Sequence, residues 1–223
     1  MHTVGTDAST RPAQEGSALA ELRELVPRRP LSYTKALRIA ELQAQRLLAL
    51  AGIEEAPVPT DLFSRLPRIE VVFANDSPVS GSAHWDGHDW IIVVNARERE
   101  PRRRFSLAHE LKHVIDHTTR SFLYTGMPRI TAAAQSERAA DYFAGCLLMP
   151  TNWLKQASAN GCRTAAEFGS HFGVPIRFAD TRLHQVGLAP PLTHQIRLSL
   201  DDPQSGNDGP LELDAATATG GSQ

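Results

Sequence analysis

Apolar positions change their period twice along this chain, and each change predicts a different kind of element. Leu37, Leu47, Leu48 and Leu50 give one apolar side to a helix predicted from Thr34 to Ala51, with Gly52 as its stop. A shorter helix is expected over Thr60 to Leu66, between Pro59 and Pro67. The period then shortens. Ile69 to Phe73 is β-branched and apolar, Ser80 to Trp85 reads as a second strand, and Asp86-Gly87-His88 turns the chain into Trp90 to Asn95. Residues 80–95 therefore predict a β-hairpin. Helical spacing returns after Pro101, which suits a first turn, and continues from Arg102 to about His117. Thr118 to Pro128 reads as a loop. Thr131 is placed to cap a helix that runs to Met149, where Pro150 ends it. Three short helices follow. Thr151 opens the first and Asn160-Gly161 closes it; Thr164 and Glu167 form a capping box for the second; Pro175 opens the last and Gly187 ends it. The expected class is α+β, a small antiparallel sheet with two long helices and a helical C-terminal part.

Composition narrows the function classes. With 223 residues, 41% hydrophobic and 22% charged, the chain has the balance of a globular protein. A net charge of −2 points to neither nucleic acid nor membrane. No stretch approaches the roughly 20 apolar residues of a membrane span, and Met1 to Gly16 lacks the apolar core of a secretory signal. Cys146 and Cys162 form no Cys-x-x-Cys pair, which argues against a disulfide framework and a cysteine-ligated metal, so a cytoplasmic setting is expected. Residues 1–17 and 201–223 are small and polar and are expected to be disordered tails.

The chemistry concentrates in His109-Glu110-Leu111-Lys112-His113. On a helix, residues four apart share a face with Cβ atoms roughly 5–6 Å apart, which lets two imidazoles reach one zinc ion. Glu110 is rotated off that line and can take a proton from a water on the metal. Chance produces this pattern in about one chain of this length in a hundred, so context must decide. Here the pattern sits in a helical segment just after a hairpin, with Leu107, Leu111, Val114 and Ile115 to anchor it. Glu137, on the next long helix, is the candidate third ligand. Asp141, four residues on, can accept the other ring N–H of a ligand histidine. The competing reading makes both carboxylates solvated helix charges. Ala139, Ala140, Ala144 and Gly145 are small enough for the two helices to approach closely.

Three stretches carry a specific resemblance: Arg104-Phe105-Ser106-Leu107-Ala108-His109-Glu110-Leu111-Lys112-His113, then Glu137-Arg138-Ala139-Ala140-Asp141-Tyr142-Phe143-Ala144, then Leu147-Leu148-Met149-Pro150. Together they resemble the ImmA/IrrE family of metallopeptidases over about residues 35–188. The resemblance implies a thermolysin-like minimal zincin fold (a gluzincin) with one zinc ion per chain. It implies His109, His113 and Glu137 as metal ligands, Glu110 as general acid/base, and Asp141 behind a ligand histidine. Residues 18–150 would form the peptidase domain, with residues 151–200 packed on it or appended to it. Ser106 and Lys112 depart mildly from the family pattern, and a long cation at 112 is expected to crowd or tune the cleft.

The function expected from that resemblance is hydrolysis of a protein substrate, a helix-turn-helix repressor, in stress response or mobile-element regulation. The alternative is a metal-stabilised module that binds a repressor or DNA without cutting it, and the intact Glu110 argues against it. Residues 164–187 resemble a helix-turn-helix, but Arg177, Arg182 and His184 are few groups for a DNA groove. Arg97, Arg99 and Arg102 to Arg104, diluted by Glu98 and Glu100, read as a solvated face, with a patch for an acidic substrate or DNA as the alternative. Tyr124, Tyr142, His84 and His171 are candidate oxyanion donors, each with packing or surface exposure as the simpler role. His117 extends the histidine face as a lining residue.

Overall fold

A computed structural model describes residues 18–189; the two expected tails, 1–17 and 201–223, and residues 190–200 of the expected C-terminal part lie outside the described residues. The elements are α1 (Ala18–Glu24), α2 (Tyr33–Ala51), α3 (Leu62–Arg65), β1 (Ile69–Ala74), β2 (Gly81–Trp85), β3 (Trp90–Asn95), α4 (Glu100–Asp116), α5 (Arg120–Leu123), α6 (Ala132–Leu148), α7 (Thr151–Ala159), α8 (Ala165–Phe172) and α9 (Ile176–Gln185). This is the α+β arrangement that the periodicity predicts. Two short helices, α1 and α5, are additions to it: seven and four residues are too few to show a period.

The local signals act as their chemistry suggests. Gly52 ends α2 at φ 64°, its N–H reaching the carbonyls of Ala49 and Leu48. Thr131 caps α6 by accepting from the Ala134 N–H at 3.1 Å. Thr164 and Glu167 close a complete capping box on α8. In the 86–89 turn, Asp86 Oδ1 accepts from the N–H groups of His88 and Asp89, both at 2.7 Å.

The sheet differs from expectation in one respect. Its order is β1-β3-β2, with β2 antiparallel to β3 as the hairpin requires and β1 parallel to β3. Because β3 returns between its two predecessors, the sheet is mixed and not purely antiparallel. Trp90, Ile92 and Val94 alternate inward along β3 and face the helices. Fully burying such a side chain stabilises by roughly 1.5–3 kcal/mol. β2 is left as an edge strand beside α4.

Leu107, Leu111, Val114 and Ile115 bury the inner side of α4. They share one core with β3, α6 and the C-terminal helices, which contribute Phe168, Phe172, Val174, Ala179 and Leu183. Ala139, Ala140 and Ala144 are buried on α6, but Gly145 faces elsewhere: a methyl group there would meet Arg182 Cδ at 3.2 Å and Phe178 Cζ at 3.4 Å, both on α9. Two buried arginines pin the C-terminal helices. Arg104 donates to the Gly173 carbonyl at 2.7 Å and to Glu100 at 2.6 Å. Arg182 donates to the Met149 carbonyl at 3.3 Å. The basic run is therefore not one solvated face, since Arg104 points inward while Arg97 pairs with Asp76.

Candidate metal centre

His109 and His113 leave α4 from one face, with their Nε2 atoms 3.1 Å apart. α6 packs across α4 and brings Glu137 to the same point. Its Oε2 lies 3.3 Å from His109 Nε2, and its Oε1 lies 3.5 Å from His113 Nε2. One donor atom from each residue lies within 4.8 Å of the other two. Ligands bound tetrahedrally at about 2.0–2.1 Å stand about 3.3 Å from one another. The histidine pair, and the nearer Glu137 oxygen to each ring, lie close to that figure, so the three residues fit as holders of one metal ion.

The supporting groups set proton positions. Asp141 Oδ1 lies 2.8 Å from His109 Nδ1, which fixes the ring proton there and leaves the Nε2 lone pair toward the centre. Burial opposes charge on His109, but the Asp141 carboxylate, with Glu110 and Glu137, holds its pKa above the usual histidine value. His113 goes the other way, lowered first by burial and then by its neighbour His109. It is thereby kept in the neutral form that a metal ligand requires. Ser136 Oγ stands 3.5 Å from His113 Nδ1, close enough to orient the ring weakly.

Glu110 lies off the ligand line, where α4 passes under β2. Burial, opposed by His109 and reinforced by Glu137, pushes its carboxyl above the usual glutamate value. Gly81 lets the strand come this close: a Cβ there would lie 3.0 Å from Glu110 Cγ and 3.3 Å from Ser106 Cβ. Two hollows meet at His109 and Glu110. One, of about 330 Å³, is bounded by Ser80, Arg102, Phe105 and Asp141. The other, of about 400 Å³, is bounded by Ala83, Trp90, His117 and Arg120.

The structure thus gathers all five residues singled out in the sequence, and it redirects others. Lys112 does not enter the cleft. It is fully buried, turned off the histidine face of α4, donating to Asp116 at 2.5 and 2.6 Å and to Gln43 at 2.8 Å. Tyr124 donates to that same Asp116 at 2.5 Å and is no oxyanion donor. His171 lines a separate hollow with Trp153 and Glu55, and Tyr142 sits by Arg182. His117 does line the cleft, its ring set edge-on to Trp90 at 4.9 Å. Sequence reasoning missed Gly81, Ser136 and Arg120. A glycine opening the strand before the motif helix was the available signal for the first; nothing marked the other two.

Residues 68–184, more than half of the chain, match the Peptidase M78 family profile, described as the IrrE N-terminal-like domain. The chain belongs to this family. Every residue of the centre falls inside the matched stretch, and membership in M78 makes this a metallopeptidase-type protein with a His-His-Glu group that could hold a metal ion. Among solved structures, a Mycobacterium tuberculosis transcriptional regulator is similar at 20% identity and a TM-score of 0.57, covering 73% of this chain and 50% of that one. That likeness is one of fold, and this chain spans about half the length of that neighbour's. Comparison with curated proteins gives no match. Among the described residues, no helix is long and apolar enough to cross a membrane.

Proposed function

We propose that this M78 chain is a zinc-dependent endopeptidase that cuts a protein substrate, a helix-turn-helix transcriptional repressor, in stress response or mobile-element regulation. The observation that carries the peptidase reading is the spacing of the His109, His113 and Glu137 donor atoms, with Glu110 beside them and outside the ligand set. A purely structural ion would call for no such base. The name of the structural neighbour, a transcriptional regulator, supports placing the substrate in transcriptional control.

His109, His113 and Glu137 would hold the ion. When bound, zinc supplies Lewis acidity that acidifies its water toward a pKa of about 7 and polarises the scissile carbonyl. Glu110 takes the water proton on its carboxylate and returns it to the leaving amine. Asp141 keeps the His109 ring in the tautomer that this arrangement needs. The open edge of β2 offers main-chain groups to an extended peptide.

The test is incubation of the zinc-loaded protein with purified repressors encoded beside its gene, with fragments read by mass. Fragments are expected from the wild type alone, and neither with chelator nor from Glu110→Gln, which should retain its zinc. Cleavage by Glu110→Gln at the wild-type rate would remove that residue as the base.

A further inference from the structure

We propose that the hollow beside Trp85 and Trp90 is a substrate subsite, selecting a large apolar side chain about three residues N-terminal to the bond that is cut. The inference rests on the peptidase reading of the neighbouring centre and adds a sequence preference to it.

The hollow, of about 320 Å³, is lined by Leu19, Arg23, Arg68, Trp85, Trp90 and His117. Trp90 and His117 are shared with the metal cleft and form the wall between the two spaces. Gly81, Ala83 and Trp85 alternate onto one side of β2, the side that Gly81 turns toward Glu110. An extended peptide laid along this edge passes Glu110 and the ligands near Ser82. Three residues further, about 10 Å at strand rise, it reaches Trp85. Antiparallel pairing is the more stable per residue, so the peptide's N-terminal side runs toward Trp85.

The chemistry of the hollow favours an apolar occupant. Trp85 leaves 44% of its surface to solvent, with its ring 5.6 Å from that of Trp90. Both cations at the rim are engaged by their own chain. Arg68 lies over the Trp85 ring at 5.3 Å, donates to the His88 carbonyl at 2.9 Å and approaches Asp89 at 3.4 Å. Arg23 donates to the carbonyls of Ile115 and Val114 at 3.0 and 2.8 Å. What remains for a ligand is the exposed part of the Trp85 indole, beside largely buried Trp90 and Leu19, a surface that gains from covering by Phe or Leu and little from Asp.

The probe is a set of nine-residue peptides that differ only in carrying Phe, Leu, Ala or Asp at one position. With zinc-loaded protein, Phe and Leu at the third residue before the cut should exceed Ala and Asp about tenfold in kcat/KM. Trp85→Ala, and separately Ala20→Trp, which fills the hollow from α1, should reduce that ratio below twofold. In parallel, binding of the fluorescein-labelled Phe and Ala peptides to Glu110→Gln protein is read by anisotropy, with and without zinc. The Phe peptide should bind about tenfold tighter, and adding Trp85→Ala should remove the advantage. If nothing is cleaved but this Trp85-dependent advantage in binding is present, the hollow stands as a pocket for an apolar peptide side chain and the peptidase reading falls. Equal behaviour of all four peptides, a preference for Asp, or a preference that survives both variants overturns the subsite.

Discussion

Gly81 and Glu110 touch with no room to spare: a methyl group on the glycine would lie 3.0 Å from Glu110 Cγ and 3.1 Å from Glu110 Oε1. The strand that would receive a substrate and the carboxylate that would move its protons are thus set by one van der Waals contact. Gly81→Ala is expected to push the Glu110 carboxylate by a few tenths of an ångström. Cleavage should fall roughly tenfold or more, as small misplacements do in catalysis, with zinc content unchanged. Equal kcat/KM in the variant would show that the carboxylate tolerates displacement.

Asp141 makes a separable contribution. With Asn in its place, the His109 Nδ1 proton loses a charged acceptor. Metal affinity should weaken about 10- to 100-fold, the usual effect of such supporting carboxylates. Competition with a chromogenic chelator measures this without any substrate.

The buried Lys112 holds the fold and not the cleft. Replacing it with Met strands the Asp116 carboxylate, buried and left with Tyr124 alone. A loss of about 3–5 kcal/mol is expected in urea unfolding, the range for breaking a buried ion pair from one side. A loss under about 1 kcal/mol would mean that the buried pair adds little to the fold.

Cys146 gives a pH dependence. Burial pushes its thiol up to about 11, beyond the partial relief from Arg182. A folded-state value above the unfolded one means that the native protein holds this proton more tightly. Its contribution to stability is fully present below about pH 9 and is lost as pH rises toward 11. The difference is about 3 kcal/mol. Unfolding followed at pH 8 and 10.5 should show a smaller alkaline loss in Cys146→Ala than in wild type.

Gly173 leaves room for the Arg104 clamp. It sits at φ 62°, and a Cβ there would land 1.9 Å from the Arg104 guanidinium. Gly173→Ala should therefore cost about 1–3 kcal/mol, through strain and a broken clamp. Thermal unfolding checks it, and no loss would show that the arginine is free to withdraw.

What could be read from the residues was what lies within one element or between adjacent ones. The His109–His113 pair, the Thr131 cap, the Thr164–Glu167 box and the hairpin turn all work over two to four positions. What could not be read depends on distant partners. Lys112 meets Gln43, and Arg104 meets Gly173, each 69 positions away. Lys112 and Asp116 form an i,i+4 stripe of their own, rotated off the histidine stripe, and composition cannot say which stripe faces inward. The parallel β1–β3 pairing was hidden for a similar reason, because strand direction follows from order in the sheet and not from any strand's own pattern.

Arg23 has a practical consequence for anyone trimming the molecule. Its side chain closes the carbonyl end of the metal-bearing helix from a segment 45 residues upstream of where the family match begins, and Leu22 beside it accepts from the Gln43 amide that steadies Lys112. A shortened protein starting at residue 68 would keep every donor atom for the ion while baring the back of the helix that presents them. Minimal boundaries drawn from sequence likeness would thus yield a weaker metalloprotein than one that begins before Ala18.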